Sequence, residues 1–130
     1  MFPPVRALLA TVGAGLVAIA AGLYVAAAAQ DRPVATDQLA RGRGLYEQHC
    51  ARCHVQGGTA PELTAEALAP MGTAQTLFSF VRVAMPQDRP GTLTEQEYWD
   101  ILAHLLAANG FLPPGVGLSP ATAERIRLAK

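Results

Sequence analysis

The pattern of hydrophobic and polar positions divides the chain near residue 30. Residues 7–29 carry no charged side chain and are rich in Ala and Gly, whereas the rest alternates apolar stripes with loops that contain Pro and Gly. A helix over residues 7–29 would be about 35 Å long, enough to cross a hydrocarbon core of about 30 Å. The pattern therefore predicts a membrane-spanning anchor within residues 1–30.

A cleaved signal peptide is the alternative interpretation of this segment. Arg6 would be its charged region, and residues 27–29 would supply the small residues of a cleavage site. Hydrophobic regions of signal peptides usually run about 7–15 residues, so the greater length here favours an uncleaved anchor. Arg6 precedes the segment, while Asp31 and Arg32 cancel after it, which places the N-terminus in the cytoplasm. Both interpretations export the remainder of the chain.

From residue 37 onward, the periodicity predicts an all-α domain without a convincing strand. Apolar spacing and capping residues predict helices over residues 37–49, 65–69, 74–83 and 95–108. The last is the clearest, because Thr94 and Glu97 form a capping box and Gly110 follows as a stop. Its apolar stripe consists of Tyr98, Ile101, Leu102, Leu105 and Leu106.

The remaining boundaries follow from loop composition and helix phase. Residues 31–36 predict a linker, so the domain extends over residues 37–110. Residues 111–130 are expected to form a loosely packed tail with a short helix over residues 121–129, or alternatively a segment that docks onto a partner. In the helix over residues 74–83 and at its end, the side chains expected to face inward are Leu77, Phe80, Val81 and Ala84.

The segment Cys50-Ala51-Arg52-Cys53-His54 carries the most specific chemistry of the chain. It is the C-x-x-C-H signature that attaches a c-type haem: two thiols on one helical turn bind the vinyl groups, and the following imidazole ligates the iron. A thiol–disulfide pair or half of a zinc site are the alternatives. The first normally sits in a β-α-β pattern, and the second needs two more ligands, for which only His49 and His104 remain.

A haem that only transfers electrons needs a second axial ligand, and a methionine thioether would favour the reduced iron. Met85 follows a predicted helix and precedes Pro86 in an irregular segment, so it is favoured as this ligand, with Met71 as the rival. His49 directly precedes the first cysteine and cannot easily reach the opposite face. His104 lies on the apolar helix and is expected to be a packed or hydrogen-bonded histidine.

Overall charge bears on the kind of partner. The chain carries ten Lys and Arg against ten Asp and Glu, so its formal net charge is zero. This balance argues against nucleic acid as a partner and against strong electrostatic steering. No catalytic triad, paired carboxylate site or phosphate-binding loop is present in the sequence, so an enzyme with its own active site is not expected.

Residues 37 to about 110 resemble the class I mono-haem c-type cytochromes. The resemblance is carried by Gly42-x-x-x-Tyr46, the C-x-x-C-H segment, Pro61-Glu62-Leu63, Met85-Pro86 and the last predicted helix. It implies the cytochrome c fold, with the first and last helices crossing at Gly42 and Tyr46. It also implies one covalent haem c held by Cys50 and Cys53, with His54 as proximal and Met85 as distal iron ligand, and with the Pro61 carbonyl accepting a hydrogen bond from the proximal imidazole. Where the family often has an aromatic residue in its last helix, this chain has His104.

These observations together predict a membrane-tethered one-electron carrier. The haem domain would lie outside the bacterial cytoplasmic membrane, taking electrons from a quinol-oxidising complex or dehydrogenase and passing them to an oxidase or another acceptor. The alternative is an integral subunit of a larger respiratory or photosynthetic complex, for which the small residues of the anchor allow close helix packing. A haem-based gas sensor is a third interpretation, and it requires an open sixth coordination site.

Overall fold

The computed structural model describes residues 34–129, which form helices joined by loops. The helices are α1 (Val34–His49), α2 (Ala51–His54), α3 (Ala65–Leu68), α4 (Ala74–Ala84), α5 (Glu95–Ala108) and α6 (Pro120–Ala123), with a 3-10 turn at Ala69–Met71 after α3. The all-α prediction is confirmed for this part of the chain, and the helical architecture is consistent with the cytochrome c fold. One isolated antiparallel bridge joins Thr73 to Arg127.

The predicted anchor over residues 7–29 lies outside the described residues. Among residues 34–129, no helix is both long enough and apolar enough to cross a membrane.

Helix α1 begins earlier than the sequence pattern suggested. It starts at Val34 rather than at residue 37, so residues 34–36 of the predicted linker are helical. Ala35 is 4% exposed, so burial of this side chain gives the first turn a packing contact that the sequence pattern did not reveal. The start of α5 is as predicted, since Thr94 Oγ1 accepts from the Glu97 N–H and Glu97 Oε2 accepts from the Thr94 N–H.

Helices α1 and α5 cross at Gly42, as the sequence resemblance implied. Gly42 is buried, and a Cβ atom at this position would overlap the backbone carbonyl of Asp100 in α5. One turn later, the Tyr46 ring packs on the His104 ring with centroids 5.7 Å apart and planes inclined by 55°. His104 therefore supplies the aromatic contact at this crossing that the family usually makes with another residue.

An ion pair between a half-exposed guanidinium and a buried carboxylate lies beside the crossing. Asp100 is 3% exposed, and its carboxylate accepts from Arg41 Nε at 2.7 Å and from Gln96 Nε2 at 2.8 Å. The hydrogen bond to Asp100 raises the pKa of Arg41 above its ordinary value, so the guanidinium stays charged. Because a buried carboxylate is costly without partners, these contacts make the close approach of α1 and α5 compatible with Asp100 at this position.

Of the four side chains expected to face inward at α4, only Phe80 is exposed, so the prediction is wrong at this one position. Phe78, at 4% exposure, is buried with Ala74 and Leu77, whereas Phe80 is 46% exposed. The reason is a contact with α5: the Phe78 ring stacks on the Trp99 ring at 3.7 Å between centroids, with planes 2° apart. Because aromatic residues stand at both 78 and 80, the pattern alone did not determine which of them faces inward. Stacking on the ring of Trp99 selects Phe78.

The C-terminal segment is packed into the core rather than loose. Leu118 and Leu128 are 2% and 0% exposed, and Leu128 donates its N–H to the Gly72 carbonyl. The Gln38 side chain in α1 binds Leu118 in both directions, donating to its carbonyl and accepting from its N–H, each at 2.8 Å. The expectation of a loosely packed tail is therefore wrong, and the short helix in it is α6, which ends at Ala123 rather than at residue 129.

Two glycines of α1 give a matched test of the helix crossing. We expect Gly42→Ala to lower the free energy of unfolding by about 1–3 kcal/mol, because the added methyl group forces α1 away from α5. Gly44→Ala is the control, since nothing lies within 4 Å of a Cβ built there. It should raise the free energy of unfolding by up to about 1 kcal/mol through helix propensity. Equal effects of the two changes in urea unfolding would contradict the crossing.

A second prediction concerns the junction between α1 and the C-terminal segment. Gln38→Leu should lower the free energy of unfolding by about 1–3 kcal/mol, because it leaves the buried N–H and carbonyl of Leu118 without partners. Gln48→Leu changes an exposed glutamine of the same helix and should have an effect within about 0.5 kcal/mol. Faster amide exchange at Leu118 in the first variant alone would locate the effect, and unchanged exchange there would refute it.

Candidate cofactor site

A cavity lies between the C-x-x-C-H segment, the residues that follow α4, and one face of α5. Cys50, Cys53 and His54 line it from one side, and Met85 lines it from the segment after α4. The aliphatic residues of its wall are Leu63, Val81, Leu93, Ile101, Leu102 and Leu105. The structure thus brings the two thiols, the imidazole of His54 and the thioether of Met85 to a single, largely apolar cavity.

The two cysteines lie on one helical turn, because α2 begins directly after Cys50. The N–H groups of Cys53 and His54 both donate to the Cys50 carbonyl, at 3.2 and 3.1 Å. Burial, followed by the nearby Cys53, raises the pKa of the Cys50 thiol to about 11. A reactive thiol–disulfide pair needs a lowered thiol pKa, so this environment does not favour that alternative.

The loop after α2 folds back tightly onto the helix and positions a hydrogen-bond acceptor for His54. Ala60 donates to the Cys53 carbonyl at 3.0 Å, and Gly58 approaches the same carbonyl so closely that a Cβ there would overlap it. This return brings the Pro61 carbonyl oxygen to 2.7 Å from His54 Nδ1. With the proton on Nδ1, the imidazole donates to Pro61 and leaves Nε2 as its lone-pair donor.

Met85 and Met71 occupy different environments. Met85 is an extended residue directly after α4, and it lines the cavity. Met71 ends the 3-10 turn and packs against the hydrophobic core. The Tyr98 hydroxyl donates to the Met85 carbonyl at 2.7 Å and so fixes the backbone of this residue. The sequence pattern placed Tyr98 only in an apolar stripe. Its hydroxyl was the available signal of a hydrogen bond, because Leu or Phe would pack equally well at this position.

The two remaining histidines also lie in different places. His49, the last residue of α1, lines the cavity next to Cys50, and its Nδ1 is buried without a hydrogen-bond partner in the described structure. His104 faces Tyr46 at the helix crossing. Burial, and then the charge of Arg43, lower the pKa of His104, which favours its neutral form. Within residues 34–129, no group of three or more His, Cys, Asp or Glu side chains is arranged to hold a metal ion.

An ion pair at the rim of the cavity was not anticipated from the sequence. Arg52, between the two cysteines, donates from Nη2 to Asp88 Oδ2 at 2.5 Å. This hydrogen bond raises the pKa of the Arg52 guanidinium above its ordinary value. The residues are 36 positions apart and neither belongs to a local motif that predicts the pairing.

The donor set and the walls of the cavity fit a haem c. Two thiols on one turn can each form a thioether, and the next residue is an imidazole already hydrogen-bonded through one nitrogen. The thioether of Met85 is the soft, neutral donor that electron-transfer haems use. Aliphatic side chains form much of the remaining wall, which suits a large apolar ring.

Comparison with known families agrees with this chemistry. The family model described as "Cytochrome C oxidase, cbb3-type, subunit III" matches residues 37–105, just over half of the chain. The match begins in α1 and ends in α5, so it includes the cavity and the helix crossing, while the C-terminal segment lies beyond it. No curated protein and no solved structure matches the chain significantly.

The hydroxyl of Tyr98 gives a test of how Met85 is positioned. Tyr98→Phe should lower the free energy of unfolding by about 0.5–1.5 kcal/mol, because the Met85 carbonyl loses its donor. Tyr98→Leu also removes the ring, which is 4% exposed, and should cost more, about 2–4 kcal/mol. If the free energy of unfolding of Tyr98→Phe equalled that of the wild type, this hydrogen bond would contribute nothing to stability.

Proposed function

This chain belongs to the family of cbb3-type cytochrome c oxidase subunit III and is therefore a mono-haem c-type cytochrome, and we propose that it is a membrane-tethered carrier of single electrons. The observation that supports this best is the convergence of Cys50, Cys53, His54 and Met85 on one apolar cavity.

Each residue of the cavity has a defined task in this proposal. Cys50 and Cys53 hold the haem through thioether bonds, and His54 and Met85 are its proximal and distal ligands. When bound, the haem supplies an iron that alternates between Fe(II) and Fe(III). The Pro61 carbonyl orients the His54 ring and strengthens its donor nitrogen through the 2.7 Å hydrogen bond.

Met85 and the aliphatic wall of the cavity would influence the reduction potential of the bound haem. A thioether stabilises Fe(II) relative to Fe(III), so Met85 gives a higher reduction potential than a second histidine would. The aliphatic wall acts in the same direction, because a low-dielectric surrounding disfavours the additional charge of the oxidised state. Because the Pro61 and Tyr98 contacts hold the His54 ring and the Met85 backbone in place, little rearrangement of these residues would accompany a change in the redox state of the haem.

The proposed tether rests on the amino-acid sequence. Residues 7–29 are uncharged and of membrane-spanning length, and Arg6 precedes them. With this orientation, the haem domain works on the outer face of the bacterial cytoplasmic membrane. Confinement to that surface raises its effective concentration at membrane-bound donors and acceptors.

A second candidate function is that of a fixed subunit in a larger complex. The description of the matching family, which names an oxidase subunit, favours it. Purification from native membranes in a mild detergent separates the two functions. Other subunits that remain in a fixed ratio through several columns indicate a complex, whereas a protein recovered alone indicates a mobile carrier.

The two methionines allow a matched test of ligation. Met85→Leu and Met71→Leu make the same nearly isosteric change, one in the cavity and one in the core. We expect the oxidised wild type and Met71→Leu to show the methionine-to-iron charge-transfer band. Met85→Leu should lose the band, bind carbon monoxide when reduced, and have a lower midpoint potential.

The opposite pattern would assign the distal ligand to Met71. Carbon monoxide binding by the reduced wild type at neutral pH would favour the gas-sensor alternative.

Mass spectrometry and haem staining of a denaturing gel test the covalent attachment, which should be lost when Cys50 and Cys53 are both changed to Ser. A wild-type chain without the added mass of a haem would refute the proposed function.

A further inference from the structure

The Arg52–Asp88 ion pair joins the two segments that carry the proposed haem ligands. Arg52 lies between Cys50 and Cys53, and Asp88 lies three residues after Met85. Both side chains line the cavity, and they are 63% and 48% exposed, so the pair stands at the solvent-facing rim. It therefore spans from the haem-attaching turn to the segment that presents the distal methionine.

Met85 begins an irregular segment, in which its own N–H donates to the Val81 carbonyl and Pro86 is buried. α4 ends at Ala84, and no helix or strand follows before α5 begins at Glu95. The Tyr98 hydroxyl holds the backbone at Met85, and the Arg89 N–H donates to the Pro86 carbonyl at 2.9 Å, which closes a turn around Asp88. The carboxylate that this turn presents is bound by Arg52.

The two ends of the ion pair differ in how firmly they are held. Arg52 is part of α2, whose flanking cysteines are fixed to the haem by covalent bonds in the proposed holoprotein. Asp88 is part of an irregular segment, and segments of this kind open locally at lower free energy than helices in the core. Restraining Asp88 against Arg52 therefore restrains the segment that must move for Met85 to leave the iron.

We propose that the Arg52–Asp88 pair is a latch that keeps Met85 in place and slows its replacement by other ligands. This inference rests on the proposed function, because it takes Met85 as the distal ligand. Arg52 and Asp88 are positioning residues in this account, since they act through the segment that carries Met85.

The size of the effect follows from the exposure of the pair. Exposed ion pairs contribute little to stability and are screened by salt. We therefore expect each single variant, Asp88→Asn or Arg52→Gln, to accelerate methionine displacement by about two- to fivefold at low ionic strength. The double variant should be no faster than Asp88→Asn, because that change already removes the contact with Arg52 and also the longer one, 3.7 Å, between Asp88 Oδ2 and Arg89 Nε.

The experiment measures the binding of imidazole to the oxidised holoprotein by stopped flow, following loss of the methionine-to-iron charge-transfer band. Imidazole is used above its own pKa, so that the neutral probe is insensitive to the altered charge at the rim. Glu47→Gln is the matched control, because it breaks the exposed Arg43–Glu47 pair within α1. Its rate should equal that of the wild type.

Salt dependence gives a second readout. Raising the ionic strength should accelerate displacement in the wild type towards the rate of Asp88→Asn and leave that variant unchanged. Wild-type rates in both single variants, with the charge-transfer band intact, would overturn the latch and leave the proposed function standing. A wild type without this band would overturn the assignment of Met85, and the latch with it.

Discussion

The close crossing of α1 and α5 at Gly42 is the contact on which the site depends. The haem-attaching turn follows directly from the end of α1, and Tyr98, which fixes the Met85 backbone, stands in α5. The distance between these helices therefore sets the distance between the two walls of the cavity. Only a glycine permits the approach, because any Cβ at this position overlaps the Asp100 carbonyl.

The two candidate iron ligands, His54 and Met85, are each held by one short polar contact. The His54 ring is oriented by the Pro61 carbonyl, and the Met85 carbonyl is held by the Tyr98 hydroxyl. The first contact orients the imidazole itself, whereas the second fixes the backbone from which the thioether extends. In a holoprotein with the proposed ligation, both contacts would limit movement of the coordinating side chains.

The features that the sequence predicted are those with local signatures. Three such features are the C-x-x-C-H turn, the capping box of α5 and the periodicity of the apolar stripe in α5. Each of them is formed by residues that are close together in the sequence. The Gln38–Leu118 pairing joins residues 80 positions apart, and Arg52 and Asp88 are 36 apart. The sequence around either residue of such a pair does not indicate which distant residue it contacts. The assignment of Phe80 to the inward face of α4 failed for the related reason that the ring on which Phe78 stacks, Trp99, comes from another helix.

The contact between Gln38 and Leu118 also bears on the order in which the molecule is completed. A ribosome delivers Gln38 long before Leu118, so the buried side of α1 lacks its last partner until nearly the whole polypeptide has emerged. During that interval α1, which leads into the C-x-x-C-H turn, is without the polar partner that its buried side has in the finished fold.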